Sequence, residues 1–120
     1  MSLGIAERRV GGVVVLELRG RLTLGPGCEA LDKQLQDLIT AGNRAVLLHC
    51  AGVSVIDSQG IKALVRGATR LQEQGGKLKL CTVPARVHEV LQITRLIKVI
   101  ETFPGEAEAI ASFPPTTGSA

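Results

Sequence analysis

Apolar and polar residues along the chain alternate between two periods. Ile5 to Val10 reads as a weak strand, and Gly11-Gly12 as a hairpin turn. Val13 to Gly20 then follows a period of two, with Val14, Leu16 and Leu18 on one face and Glu17 and Arg19 on the other. That pattern predicts a half-exposed strand. Gly20 to Gly27, which contains Gly25-Pro26-Gly27, reads as a loop. From Cys28 to Ala41 the period lengthens. Leu31, Leu35, Leu38 and Ile39 form one helical stripe, and Gly42 stops it. Ala45 to Leu48 is a continuous apolar run, as in a strand buried on both faces. Ala51 to Ile56 is expected to be an apolar loop leading to Asp57-Ser58-Gln59-Gly60.

A second helix follows, with Ile61, Leu64, Val65, Ala68 and Leu71 on its predicted buried face. Lys62, Arg66, Arg70 and Glu73 lie opposite, and Gly75-Gly76 ends it. Lys77 to Cys81 is a strand. Pro84 suits the first turn of a third helix, which turns Val87, Val90 and Leu91 inward. Leu96 to Ile100 is expected to be a last short strand. Phe103-Pro104 leads into a C-terminal helix carrying Ala107, Ile110 and Ala111. Residues 1–113 are thus expected to form one domain, with 114–120, rich in Pro, Thr, Gly and Ser, as a disordered tail. After the opening hairpin, strands and helices alternate, which predicts an α/β domain with a mixed sheet.

Composition narrows the function. At 120 residues the chain has the length of one domain, and its 45% apolar content supplies a core. The net charge of +3 invites a nucleic-acid reading. However, the 14 basic and 11 acidic residues are scattered, and aromatic residues are only 2%. Phe103 and Phe113 are too few for a stacking platform, so nucleic acid is not an expected partner. No apolar run approaches the ~18 residues of a membrane helix, and direct membrane insertion is not expected. Arg8-Arg9 before Val10 to Leu16 reads as part of ordinary strands rather than an export signal. Cys28, Cys50 and Cys81 are an odd count without metal-ligand spacing. They read as thiols in a reducing, cytoplasmic compartment, with no metal or cofactor bound to the chain.

The candidate chemistry lies at Asp57-Ser58-Gln59-Gly60. Asp and Ser at a helix start are good N-caps, because their oxygens accept otherwise unpaired backbone N–H groups. A serine there is also open to modification. A phosphate would add about −1.5 to −2 charge beside the positive end of the helix dipole, and Gly60 would leave room for a partner's backbone. A catalytic role is poorly supported. There is no GxSxG elbow, and neither His49 nor His88 is placed by the pattern as a base for Ser58, so no catalytic residue is assigned.

With these residues in hand, the chain resembles the STAS domains, and among them the stand-alone anti-sigma factor antagonists of bacteria. The resemblance covers about residues 4 to 112. It rests on Asp57-Ser58-Gln59-Gly60, Leu18-x-Gly20-x-Leu22, Gly75-Gly76-Lys77-Leu78-x-Leu80-Cys81, and Val87-x-x-Val90-Leu91-x-Ile93-Thr94-x-Leu96. It implies a mixed, mostly parallel sheet with about four helices packed largely on one side. It also implies that the unphosphorylated protein binds an anti-sigma factor, a serine kinase carrying ATP and Mg²⁺, and so frees a sigma factor. Phosphorylation of Ser58 would break that complex, and a PP2C-type phosphatase would reset it. The docking surface is expected at Thr23, Leu24, Asp57, Ser58, Gln59, Gly60, Lys62, Ala63 and Arg66 of a monomer or weak dimer. The chain departs from the pattern at Thr23, where many members are acidic, and at Arg95, where many carry Gly. The alternative within the family is an accessory subunit of a membrane transporter or lipid-trafficking ATPase complex. Outside the family, it is a small hydrolase using Ser58.

Overall fold

A computed structural model describes residues 3–114. Strands β1 (Gly4–Val10) and β2 (Val13–Leu22) form the opening hairpin. They are followed by helix α1 (Pro26–Thr40), strand β3 (Ala45–Ile56), helix α2 (Ser58–Glu73) and strand β4 (Lys77–Cys81). Helix α3 (Ala85–Ile93), a 3-10 turn (Leu96–Lys98), strand β5 (Thr102–Phe103) and helix α4 (Glu106–Ala111) complete the order. The five strands lie in sequence order in one sheet. Only β1 runs antiparallel to its neighbour. Each parallel neighbour is reached through a crossover helix, as the alternating periods require. The expected tail of 114–120 lies outside the described residues from 115 onward.

Helices α1, α2 and α3 cover one face. Their Leu31, Leu35, Leu64, Leu71, Val87 and Leu91 pack against Val14, Leu16, Leu18, Val46, Leu48 and Leu80 of the sheet. The other face is covered as well, which corrects the reading of β2 as half-exposed. Val13 and Val15 are buried there with Ala45, Leu47, Cys81, Ala109 and Phe113. Helix α4 supplies that cover. It turns Ala109 inward and leaves Ala107 and Ala111 exposed. Arg8 fastens α4 from β1 by pairing with both Glu106 and Glu17, and its hydrogen bonds, then its charge, hold the Glu106 carboxyl below the usual range. Lys79 does the same from β4, donating to the carbonyl and hydroxyl of Ser112 at 3.1 and 2.9 Å.

Two further expectations are corrected. Gly20–Leu22 and Ala51–Ile56 are not loops. They pair with each other, Gly20 with Val53, Arg21 with Val55 and Leu22 with Ile56, and register shifts before Arg19 and between Gly20 and Arg21 break the period of two. Leu96 to Ile100 is not a strand. Leu96 and Ile100 are both buried because a turn brings them to the same side, with the Ile100 N–H donating to the Leu96 carbonyl at 3.0 Å. Arg95 opens that turn with φ +61°. An L-residue with a side chain is strained there by about 1–2 kcal/mol. Arg95→Gly is therefore expected to raise stability by about 0.5–1 kcal/mol, after allowing for the extra freedom of Gly in the unfolded chain. The check is a higher urea midpoint with an unchanged slope.

Candidate functional site

The pairing of Leu22 with Ile56 ends β2 and β3 side by side. The segment after β2, Thr23-Leu24, is thereby brought against the start of α2. Asp57 joins the two. Its Oδ1 accepts the N–H groups of Gln59 at 2.9 Å and Gly60 at 3.0 Å, capping the helix. Its Oδ2 accepts the N–H of Leu24 at 2.9 Å. The Asp57 N–H in turn donates to the Leu22 carbonyl at 3.3 Å. Charge-assisted bonds favour the carboxylate, so the Leu24 amide first, then that of Gly60, hold the Asp57 carboxyl below its usual range.

The sign of the pH dependence follows. A depressed carboxyl stabilises the fold at pH values above its unfolded pKa, and the gain disappears as pH falls through the folded value. Asp57→Ala is expected to cost about 1 kcal/mol near neutral pH. The gap between variant and parent, read from thermal unfolding, should narrow below about pH 4.

Ser58 is the first residue of α2. It is exposed, and no side-chain hydrogen bond ties its hydroxyl to the described residues. Lys62, one turn on, is exposed. Val65 follows at the next turn and is 37% exposed rather than buried as expected, because Ala63, Leu64 and Gly67 take the inward positions. Leu24 is 75% exposed and Thr23 half-buried. Leu24, Ser58, Lys62 and Val65 therefore make up an exposed surface rather than a pocket.

Three of the expected contacts are placed differently. Gly60 is buried, and the backbone that approaches it is the chain's own Leu22 carbonyl, not a partner's. Ala63 is wholly buried in the core. Arg66 is half-exposed, but its guanidinium is already engaged with Asp32 of α1, Nη2 to Oδ2 at 2.6 Å and Nε to Oδ1 at 3.4 Å. Gln59 is half-buried beside the cap. Val65 is the residue the sequence reading missed. Its spacing of seven from Ser58 carries the signal, since i, i+4 and i+7 share one helix face.

The remaining chemistry-bearing groups lie elsewhere. His49 faces Glu106 at 3.9 Å, and His88 lines an open hollow of about 510 Å³ with Ala51, Thr82, Pro84 and Phe103. Neither hydrogen-bonds to Ser58. The three cysteines are buried free thiols. Burial first, and the nearby Asp57 and Asp32 next, push the Cys28 thiol up, which leaves little nucleophilic thiolate. Among the described residues no helix is long and apolar enough to cross a membrane.

The profile of the STAS domain family matches residues 5–109. BtrV of Bordetella bronchiseptica, named as an anti-sigma factor antagonist, is 25% identical over 105 residues, covering 88% of this chain and 90% of BtrV. A Thermotoga maritima protein of known crystal structure superposes with a TM-score of 0.86 at 22% identity, covering 91% of this chain and 93% of that one. The anti-sigma factor antagonist SpoIIAA in its unphosphorylated form superposes at 0.71 and 17% identity, covering 90% and 94%. The phosphorylated form of SpoIIAA from Bacillus gives 0.71 at 20% identity, covering 90% and 97%.

Proposed function

The chain belongs to the STAS domain family, and from that premise we propose that it is an anti-sigma factor antagonist switched off by phosphorylation of Ser58. The observation that carries this reading is the exposed, unbonded Ser58 hydroxyl at the start of α2, between the Leu24 segment and Lys62. The unmodified form binds an anti-sigma factor in the cytoplasm and so frees a sigma factor. The anti-sigma factor is itself a serine kinase that holds the ATP and Mg²⁺ and modifies Ser58. A PP2C-type phosphatase restores the hydroxyl. The chain acts by binding, not by catalysis of its own.

The cap geometry sharpens how the charge would act. A helix start ordinarily offers free amides to a phosphate. Here Asp57 already takes those of Gln59 and Gly60, and the Ile61 N–H goes to the Asp57 carbonyl. A phosphate on Ser58 would therefore extend outward onto the docking surface. It would add about −1.5 to −2 charge next to the Asp57 carboxylate and oppose docking by repulsion and desolvation.

A pull-down with the parent, Ser58→Ala and Ser58→Asp tests this. One kinase-type partner should be retained by the parent and by Ser58→Ala and lost by Ser58→Asp. Equal retention of that partner by all three would exclude the switch.

A further inference from the structure

A helix cap needs one carboxylate oxygen. Asp57 spends Oδ1 on the cap and turns Oδ2 to the Leu24 amide, outside the helix. That second bond has a geometric consequence. It holds the segment after β2 against the start of α2, with the Leu24 side chain in solvent at 75% exposure, although nothing in the core requires it there. The neighbouring surface repeats the same character. Lys62 is exposed and makes no ion pair among the described residues, whereas Arg66, the next cation along α2, is paired with Asp32. Val65 adds a second exposed aliphatic group on the Ser58 side of the helix.

We propose that Leu24, held in position by Asp57, is the apolar anchor of this docking surface. The anti-sigma factor would present an apolar socket to Leu24 and a carboxylate to the free Lys62. This rests on reading the chain as an antagonist. Asp57 is then a positioning residue that acts through Leu24. A second copy of the chain fits less well, since a self-complementary contact centred here would bring the unpaired Lys62 side chains of both copies together. Interface energy concentrates in a few well-placed side chains, so the loss of a true anchor is large.

The test is calorimetric titration against the anti-sigma factor retained by the parent in the pull-down. Leu24→Ala is expected to weaken binding by about tenfold or more without loss of thermal stability, and Leu24→Met to restore most of it. Asp57→Asn separates the two jobs of the side chain. Its amide oxygen still caps α2, but its NH₂ cannot accept the Leu24 N–H. It should weaken binding by a similar factor with the helical circular dichroism unchanged. Leu24→Ala or Asp57→Asn binding within about twofold of the parent would overturn the anchor. So would Leu24→Ala abolishing only a dimer of the chain. If Leu24→Ala binds normally while Ser58→Asp does not, the anchor fails and the switch stands. If Ser58→Asp binds normally, the switch itself fails.

Discussion

Ser58→Asp is expected to lower affinity for the anti-sigma factor by about a hundredfold or more, while Ser58→Ala stays within about threefold of the parent. The magnitude follows from what surrounds residue 58. An uncompensated charge in an interface costs roughly 2–5 kcal/mol, and about 2.7 kcal/mol corresponds to a hundredfold. Lys62, at i+4, is within reach of residue 58, and drawing it there withdraws it from the partner. Asp57 takes the amides of Gln59 and Gly60, and its own carboxylate adds to the repulsion. Ser58→Ala removes a hydroxyl that bonds to none of the described residues, so neither fold nor docking should change much. Calorimetric titration of the three proteins measures both effects. A loss with Ala as great as with Asp would mean that the hydroxyl is itself an essential contact, and charge would not be the switch.

The largest expected effect on stability is at Gly60. A methyl group there would overlap the Leu22 carbonyl oxygen and lie 2.8 Å from Ile56 Cγ1 and 3.0 Å from Leu22 Cγ. The first obstacle is backbone and cannot rotate away. Moving it would also disturb the bond from the Asp57 N–H to the same Leu22 carbonyl. Gly60→Ala is expected to cost about 3 kcal/mol, the upper part of the usual range for overpacking. In a domain of this size that lowers the melting temperature by roughly 10–15 °C. Gly4→Ala is the control. Its added carbon meets nothing closer than 3.7 Å, and the melting temperature should move little. A Gly60→Ala protein as stable as the parent would show that α2 is not packed against the end of β2 as described.

Much of the fold was readable from residue order, and the exceptions share a cause. The stripe of Leu31, Leu35, Leu38 and Ile39 is buried in α1 as its period predicts, and Lys77 to Cys81 is a strand with the predicted limits. Periodicity reports on each segment alone. It therefore could not show that Gly20–Leu22 and Ala51–Ile56 pair with each other across register shifts, or that α4 returns to cover Val13 and Val15. The same limit applies at the site. Asp57 as a cap was legible from its type and position. Its bond to Leu24 was not, because the two residues lie 33 apart in the chain. Gly60 was expected to admit a partner's backbone, but the assembled fold fills that space with the chain's own Leu22 carbonyl. Ala63 carried no local sign of its inward direction. A small residue suits a tight contact with the core or with a partner equally well.

The central claim is that this chain carries a single reversible charge at Ser58. The most direct measurement is mass spectrometry after incubation with its anti-sigma factor kinase, ATP and Mg²⁺. The account predicts one added phosphate, located on Ser58, none on Ser58→Ala, and disappearance of the kinase complex in step with its addition. Phosphate on another residue, or a complex that persists at full modification of Ser58, would contradict it.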